Sequence, residues 1–292
     1  MASLIQQPVI NYFQYNVGRG EDRYLISDNI YGVFDGHGGS TVSETISTTI
    51  CSILESKFSS IDISSNENIS QAIISAFNQA DENALSKIKY NVRCGSTCSL
   101  LIKFNRKLVL VNLGDSDIIL FVNGEKYCEM PKHLYSNPEE KARIDTLIKS
   151  GGIYTQQAYS PKVINSTDIT MEISNYVGLE SSREQIVPTK NFGHLSWKKQ
   201  GKMDVIPYIK FIDMLEDNSY ECIIATDGIL DMLVDSNELQ YFCNLTNQSK
   251  KLVEFADARW KQQWRYIMKG YDIIEGQKMT DIDDMTAIYI RF

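Results

Sequence analysis

No apolar run in the sequence approaches the roughly 20 residues of a membrane span, so no spanning helix is expected. The opening MASLIQQPVINYF lacks the basic and apolar blocks of a secretory leader. Histidine is scarce: there are three, with no Cys/His spacing of the kind that holds zinc. The six cysteines (51, 94, 98, 128, 222 and 243) lie singly in apolar stretches. They read as buried thiols in a reducing compartment rather than a disulfide framework. The sequons at Asn68, Asn165, Asn244 and Asn247 are then chance matches. Positive charge is also in deficit, and the net charge of −8 argues against a general nucleic-acid binder. The six prolines do not cluster, and no repeat, charge block or low-complexity linker divides the chain. One domain over residues 1–292 is expected, monomeric, away from membranes, in the cytoplasm or the nucleus.

What is present is a β-rich pattern interrupted by paired helical segments. NIYGVF reads as a strand, and TVSETISTTICSILESKF behind it has apolar residues recurring at three and four, an amphipathic helix. ISQAIISAFNQADENALSKI is a second helix of the same kind. Residues 95–126 contain short β-rich runs broken at Asn105-Arg106 and Gly114, the pattern of an antiparallel meander. NPEEKARIDTLIKSGG carries proline and acids at its start and glycines at its end, a well-marked helix. YECIIATDGILDML reads as a buried strand running into a loop and helix, and DDMTAIYIRF as a closing strand. Adjacent helices and adjacent strands favour α+β with antiparallel sheet over a doubly wound parallel sheet. Residues 153–220 have weak periodicity and predict little.

Acids gather at the strand ends. Asp35 follows IYGVF, Asp115 follows LVLVNLG, Asp227 follows ECIIAT, Asp283 precedes MTAIYI, and Glu21 and Asp22 precede RYLI. A single aspartate in such a place is an ordinary turn former or helix cap. Five such sites can converge on one rim if the strands share sheets. Clustered carboxylates repel and need cations or protons to coexist. Oxygen-only donors favour Mg²⁺ or Mn²⁺ over zinc.

The segments ED (21–22), VFDGHGG (33–39), GST (95–97), VNLGDSD (111–117), SNPEEKARI…GG (136–152), ATDGILDML (225–233) and DDMT (283–286) occur in an order that resembles the type 2C metal-dependent Ser/Thr protein phosphatases. The resemblance implies two antiparallel β-sheets packed as a sandwich, flanked by pairs of α-helices, with two Mg²⁺ or Mn²⁺ at one end. It makes Asp35 the carboxylate bridging both metals, with the Gly36 carbonyl on one and Asp227 and Asp283 on the other. Glu21 and Asp22 would orient metal-bound waters, and Asp115 and Asp231 would join Asp227 at a weaker third metal. A hydroxide held by the metal pair would attack phosphorus directly, on phosphoserine and phosphothreonine proteins, with His37 as the general acid.

The chain departs from the family pattern in several places. Arg19, the expected grip on the substrate phosphate, sits only three residues before Asp22, with Arg23 as a substitute. Lys190 and His194 in VPTKNFGHLS stand where the family has arginine and aspartate. Asp117 replaces a common arginine and Asp284 a common asparagine. His133, Cys94 and Cys98 read as structural. Two alternatives remain, a catalytically weak or dead relative acting as a protein-binding module and a hydrolase of small phosphate esters.

Overall fold

The computed structural model describes residues 7–17, 19–88, 93–267 and 274–292, so the first six residues of the leader reading fall outside it. Two five-stranded sheets carry the fold. In one, strands run in the spatial order Val9–Tyr15, Met285–Arg291, Tyr220–Ala225, Asp117–Val122, Glu125–Glu129. In the other the order is Tyr208–Asp213, Lys107–Leu113, Cys98–Phe104, Ile30–Phe34, Arg23–Ile26. All pairings within both sheets are antiparallel.

The inner strands are apolar nearly throughout because both of their faces are covered. A period of two sorts the side chains. Leu108 and Leu110 join Tyr31, Val33, Cys222, Ile224, Ile288 and Ile290 in the layer between the sheets. Val109, Val111 and Leu113 instead face the helix pair Thr41–Phe58 and Asn66–Lys87. The first of these helices buries Val42, Ile46, Ile50, Ile53 and Leu54 along one stripe. The second is capped by Ser65, whose hydroxyl accepts the Asn68 N–H at 3.2 Å. Its buried Ala72, Ala76, Ala80 and Ala84 present little side-chain bulk on the packed face. On the far side, Ile223, Ala225, Ala287 and Tyr289 pack against one long helix, Gln248–Lys261, and the short helices Asp227–Leu230 and Leu239–Cys243. The sandwich is therefore flanked as expected, although its second flank is one long helix with two short ones. Among the described residues no helix is long and apolar enough to cross a membrane.

The expected meander holds only as far as Leu113. Gly114 has φ of +107°, a conformation that favours glycine, and there the chain leaves its sheet. Asp117–Val122 then enters the opposite sheet beside Tyr220–Ala225. A strand buried on both faces has the same apolar pattern in either sheet, so periodicity could not reveal the crossing. The opaque stretch after residue 153 forms a long hairpin, Ile153–Val163 with Asp168–Leu179, extended by Glu184–Ile186 and Trp264–Tyr266 into a third sheet. Its middle is exposed on both faces, which accounts for the weak periodicity.

Candidate active site

Antiparallel pairing brings the acids to one rim. In one sheet Arg23, at the start of its strand, pairs with Phe34, so Asp22 and Asp35 lie side by side. Leu113 pairs with Cys98 next to them, which carries Asp115 to the same edge. In the other sheet Ala225 pairs with both Ala287 and Asp117, which places Asp227 and Asp283 at the matching end. The carboxylates of Asp35, Asp115 and Asp227 bring oxygens within 4.8 Å of one another. Asp115 Oδ1 is buried and has no hydrogen-bond partner.

Threonines hold this rim together. Asp22 Oδ2 accepts from the hydroxyls of Thr226 at 3.0 Å and Thr286 at 2.8 Å, one from each strand end of the facing sheet. Thr97, in GST, donates its N–H to the Asp35 carbonyl at 2.9 Å, and its hydroxyl accepts the Asp35 N–H at 3.2 Å. The same hydroxyl meets Ser116 Oγ at 2.8 Å, which ties Asp35 to the Asp115 turn. Asp284 accepts the N–H of Val17 and of Glu21, both at 2.7 Å, and clamps the loop that carries Arg19. These anchors lie within the quoted motifs, and nothing else in the sequence marks them.

The other expected site residues divide. Glu21 Oε1 accepts the Gly39 N–H at 2.6 Å, so this carboxylate braces the glycine turn behind Asp35. A side chain at Gly36 would collide with the Glu21 carbonyl and with Ser43 Oγ at 2.6 Å. Arg19 is exposed at the rim, 3.9 Å from Asp283. Arg23 donates to the carbonyls of Gly20 and Asp22 at 2.8 and 2.7 Å, which makes it a loop clasp. Lys190 lies 3.0 Å from Asp204 and 3.9 Å from Glu140 in an ion-pair network. His133 accepts the Gly114 N–H at 3.2 Å and stacks on Tyr208, so it shapes the Asp115 turn. Burial lowers it to about 4, which keeps it a neutral acceptor.

Burial and then repulsion from Asp227 raise the carboxylates: Asp35 well above its usual range, Asp115 to about 8, Asp231 to about 7 and Asp283 to about 6. Burial raises Asp22 as well, against the hydrogen bond from Thr286. The Lys132 ammonium, 3.8 Å from Asp117, offsets part of this at Asp115 and Asp231. An all-oxygen set with an orphaned buried oxygen and mutually repelling charges fits hard divalent cations.

A family model for protein phosphatase 2C matches residues 12–262. The chain belongs to the protein phosphatase 2C family. Among curated relatives, mitochondrial protein phosphatase 1K of Xenopus laevis is 24% identical over 84% of this chain and 61% of its own length. Probable protein phosphatase 2C 2 of Arabidopsis thaliana is 25% identical over 79% and 56%. The chain thus spans about three fifths of these relatives. A solved structure of a serine-threonine phosphatase 2C from Toxoplasma gondii superposes with a TM-score of 0.68 at 19% identity, covering 97% of this chain and 94% of that one.

A small sheet stands beside the rim of this protein phosphatase 2C chain. Gly36–His37 pairs with Gly95–Ser96, which pairs with Phe192–Gly193. His37 Nε2 lies 2.6 Å from His194 Nε2 across Gly95. His194, where the family pattern has aspartate, therefore faces His37 directly.

The protonation pattern predicts how metal and pH act together. Carboxylates raised in the fold contribute stability at low pH that is lost as pH rises through about 6 to 8. Burial lowers His37 and His194 to about 3 and His133 to about 4, so these contribute stability that is lost as pH falls below about 6.5. Above pH 6.5 only the carboxylates matter, and the metal-free protein should lose Tm between pH 6.5 and 8. A divalent cation bound at these acids would displace those protons, so the Tm increment with Mn²⁺ should be larger at pH 8 than at pH 6. Calorimetry showing an equal increment at both pH values would contradict binding at these acids.

Proposed function

We propose that the chain is a Mg²⁺- or Mn²⁺-dependent phosphoprotein phosphatase acting on phosphoserine and phosphothreonine. The observation that carries this reading is the meeting of Asp35, Asp115 and Asp227 within 4.8 Å. No salt bridge among the described residues neutralises these three. In this reading Asp35, the Gly36 carbonyl, Asp227 and Asp283 would hold the cations. Asp115 stands with the central group, and Asp231 is left at its margin for a weaker third cation. Bound hard cations supply Lewis-acid activation of water and neutralise phosphoryl oxygens.

The remaining work belongs to the chain's own residues. Asp22, fixed by two threonines, and Glu21 present acceptors that orient water. The exposed Arg19 guanidinium can grip two phosphoryl oxygens at once. Because this grip serves ground and transition states alike, Arg19→Ala should mainly raise KM; an unchanged KM would make it a loop residue. His37 protonates the departing serine or threonine oxygen.

Turnover of a phosphothreonine peptide should vanish with EDTA and return with millimolar Mn²⁺ or Mg²⁺, because partly hydrated hard cations are held loosely. Full turnover by exhaustively chelated protein would overturn the reading. Metal binding without turnover would instead select the binding-module alternative.

A further inference from the structure

Behind His37 lies a buried chain of polar groups that the phosphatase reading does not use. His194 Nδ1 is 2.5 Å from Glu184 Oε1, and His194 Nε2 is 2.6 Å from His37 Nε2. Glu184 and His194 are 3% and 2% exposed, too deep to be a solvated ion pair. The fold secures this chain from several sides. Glu184 begins the strand paired with Leu179. His194 is held at φ of +51° by its own N–H, which donates to the Cys94 carbonyl at 2.9 Å. Asp81, from the second long helix, accepts the Gly193 N–H at 2.8 Å and pairs with Lys198 at 2.9 Å. Gly95 leaves the space in which the two rings meet, since a Cβ there would strike His194 and approach His37 Nε2 at 2.6 Å. A non-glycine residue in left-handed backbone is uncommon and costs free energy; here it aims one ring at another.

We propose that Glu184 and His194 are positioning residues for His37, which occupy its Nε2 and leave its Nδ1–H for the departing oxygen. The argument is one of donors and acceptors. Each nitrogen of His194 has one partner, so a hydrogen bond at one end dictates the direction at the other. Among the described residues His37 Nδ1 has no hydrogen-bond partner, so it is the nitrogen left to act. A buried carboxylate with two imidazoles is neutral only when the three share one added proton, and a site this deep disfavours net charge. The proton can sit on Glu184, His194 or His37. In all three arrangements His37 keeps hydrogen on Nδ1. On transfer, the N–H electron pair stays on Nδ1, the proton goes to the alkoxide, and the chain is left with the Glu184 charge. Arg93 offsets that charge, while Lys198 acts on His194 and Asp227 on His37.

This inference rests on the phosphatase reading, and its test separates the two. Glu184→Ala should lower kcat/KM on a phosphothreonine peptide about 10–100-fold, the range typical of groups behind an active ligand. It should change p-nitrophenyl phosphate turnover and Mn²⁺ affinity far less. Glu184→Gln, which keeps a hydrogen-bonding partner for His194, should restore most of the loss. Adding Glu184→Ala to His37→Ala should cost nothing more, because Glu184 acts through His37. Equal losses on both substrates, or full additivity in the double variant, would overturn the positioning role. If the wild-type protein binds Mn²⁺ but turns over neither substrate, the phosphatase reading fails on its own. The positioning role is then read by imidazole ¹⁵N NMR. Nδ1–H on His37 in the wild type and its loss in Glu184→Ala would support the role, and an unchanged tautomer would refute it.

Discussion

Asp227→Asn is expected to abolish turnover, by roughly 10³-fold or more, and at the same time to stabilise the metal-free protein. The loss should exceed the ~10–100-fold seen when a partner behind a ligand is removed, because here the charge that holds the cation itself is gone. The gain follows from the same charge. Asp227 is the foremost charged neighbour raising Asp35, Asp115, Asp231 and Asp283. An amide of the same shape removes that repulsion and keeps one oxygen. Thermal melting should therefore show a higher Tm without metal and a much smaller increment on adding Mn²⁺. Near-normal turnover with an undiminished Mn²⁺ increment would make Asp227 a loop residue. Tm and activity moving down together would instead mean that the substitution had damaged the fold.

His37→Ala should separate substrates by their leaving groups. A serine or threonine alkoxide leaves poorly and needs a proton as the P–O bond breaks. A nitrophenolate leaves unaided. General acid catalysis contributes typically ~10²–10⁴-fold where it is needed, so the variant should lose on the order of 10²-fold or more on a phosphothreonine peptide. On p-nitrophenyl phosphate the loss should be much smaller, with metal dependence kept. The quantity to compare is kcat/KM, since product release can limit kcat. Equal losses on both substrates would point to a displaced metal site and remove His37 from the acid role.

The site was legible in the sequence where local pattern and chemistry coincide. Asp35 and Asp227 each close a buried apolar strand, and Asp283 opens one, so their places at a sheet end followed from strand periodicity. The helices Thr41–Phe58, Asn66–Lys87 and Pro138–Lys149 were likewise readable from apolar spacing and from the proline and acids at a helix start. These are short-range preferences, written within a few residues of where they act.

Tertiary structure decided which of those ends meet. Asp115 reaches Asp35 and Asp227 because the chain changes sheets at Gly114, a crossing that strands apolar on both faces do not announce. Thr226 and Thr286 bind Asp22 across 204 and 264 residues, and no local pattern links such partners. Glu184 was invisible, on a strand of three residues that is too short to show a period and follows a hairpin whose middle lies open to solvent. Sequence by itself therefore determined several central strands, the helices Thr41–Phe58, Asn66–Lys87 and Pro138–Lys149 and the kinds of side chain at their ends, though not the long helix Gln248–Lys261. The constellation of carboxylates, and the chain from Glu184 through His194 to His37, came only from register and sheet choice. Those are set by packing between segments far apart along the chain, where the free energy lies in the contact rather than in either segment alone.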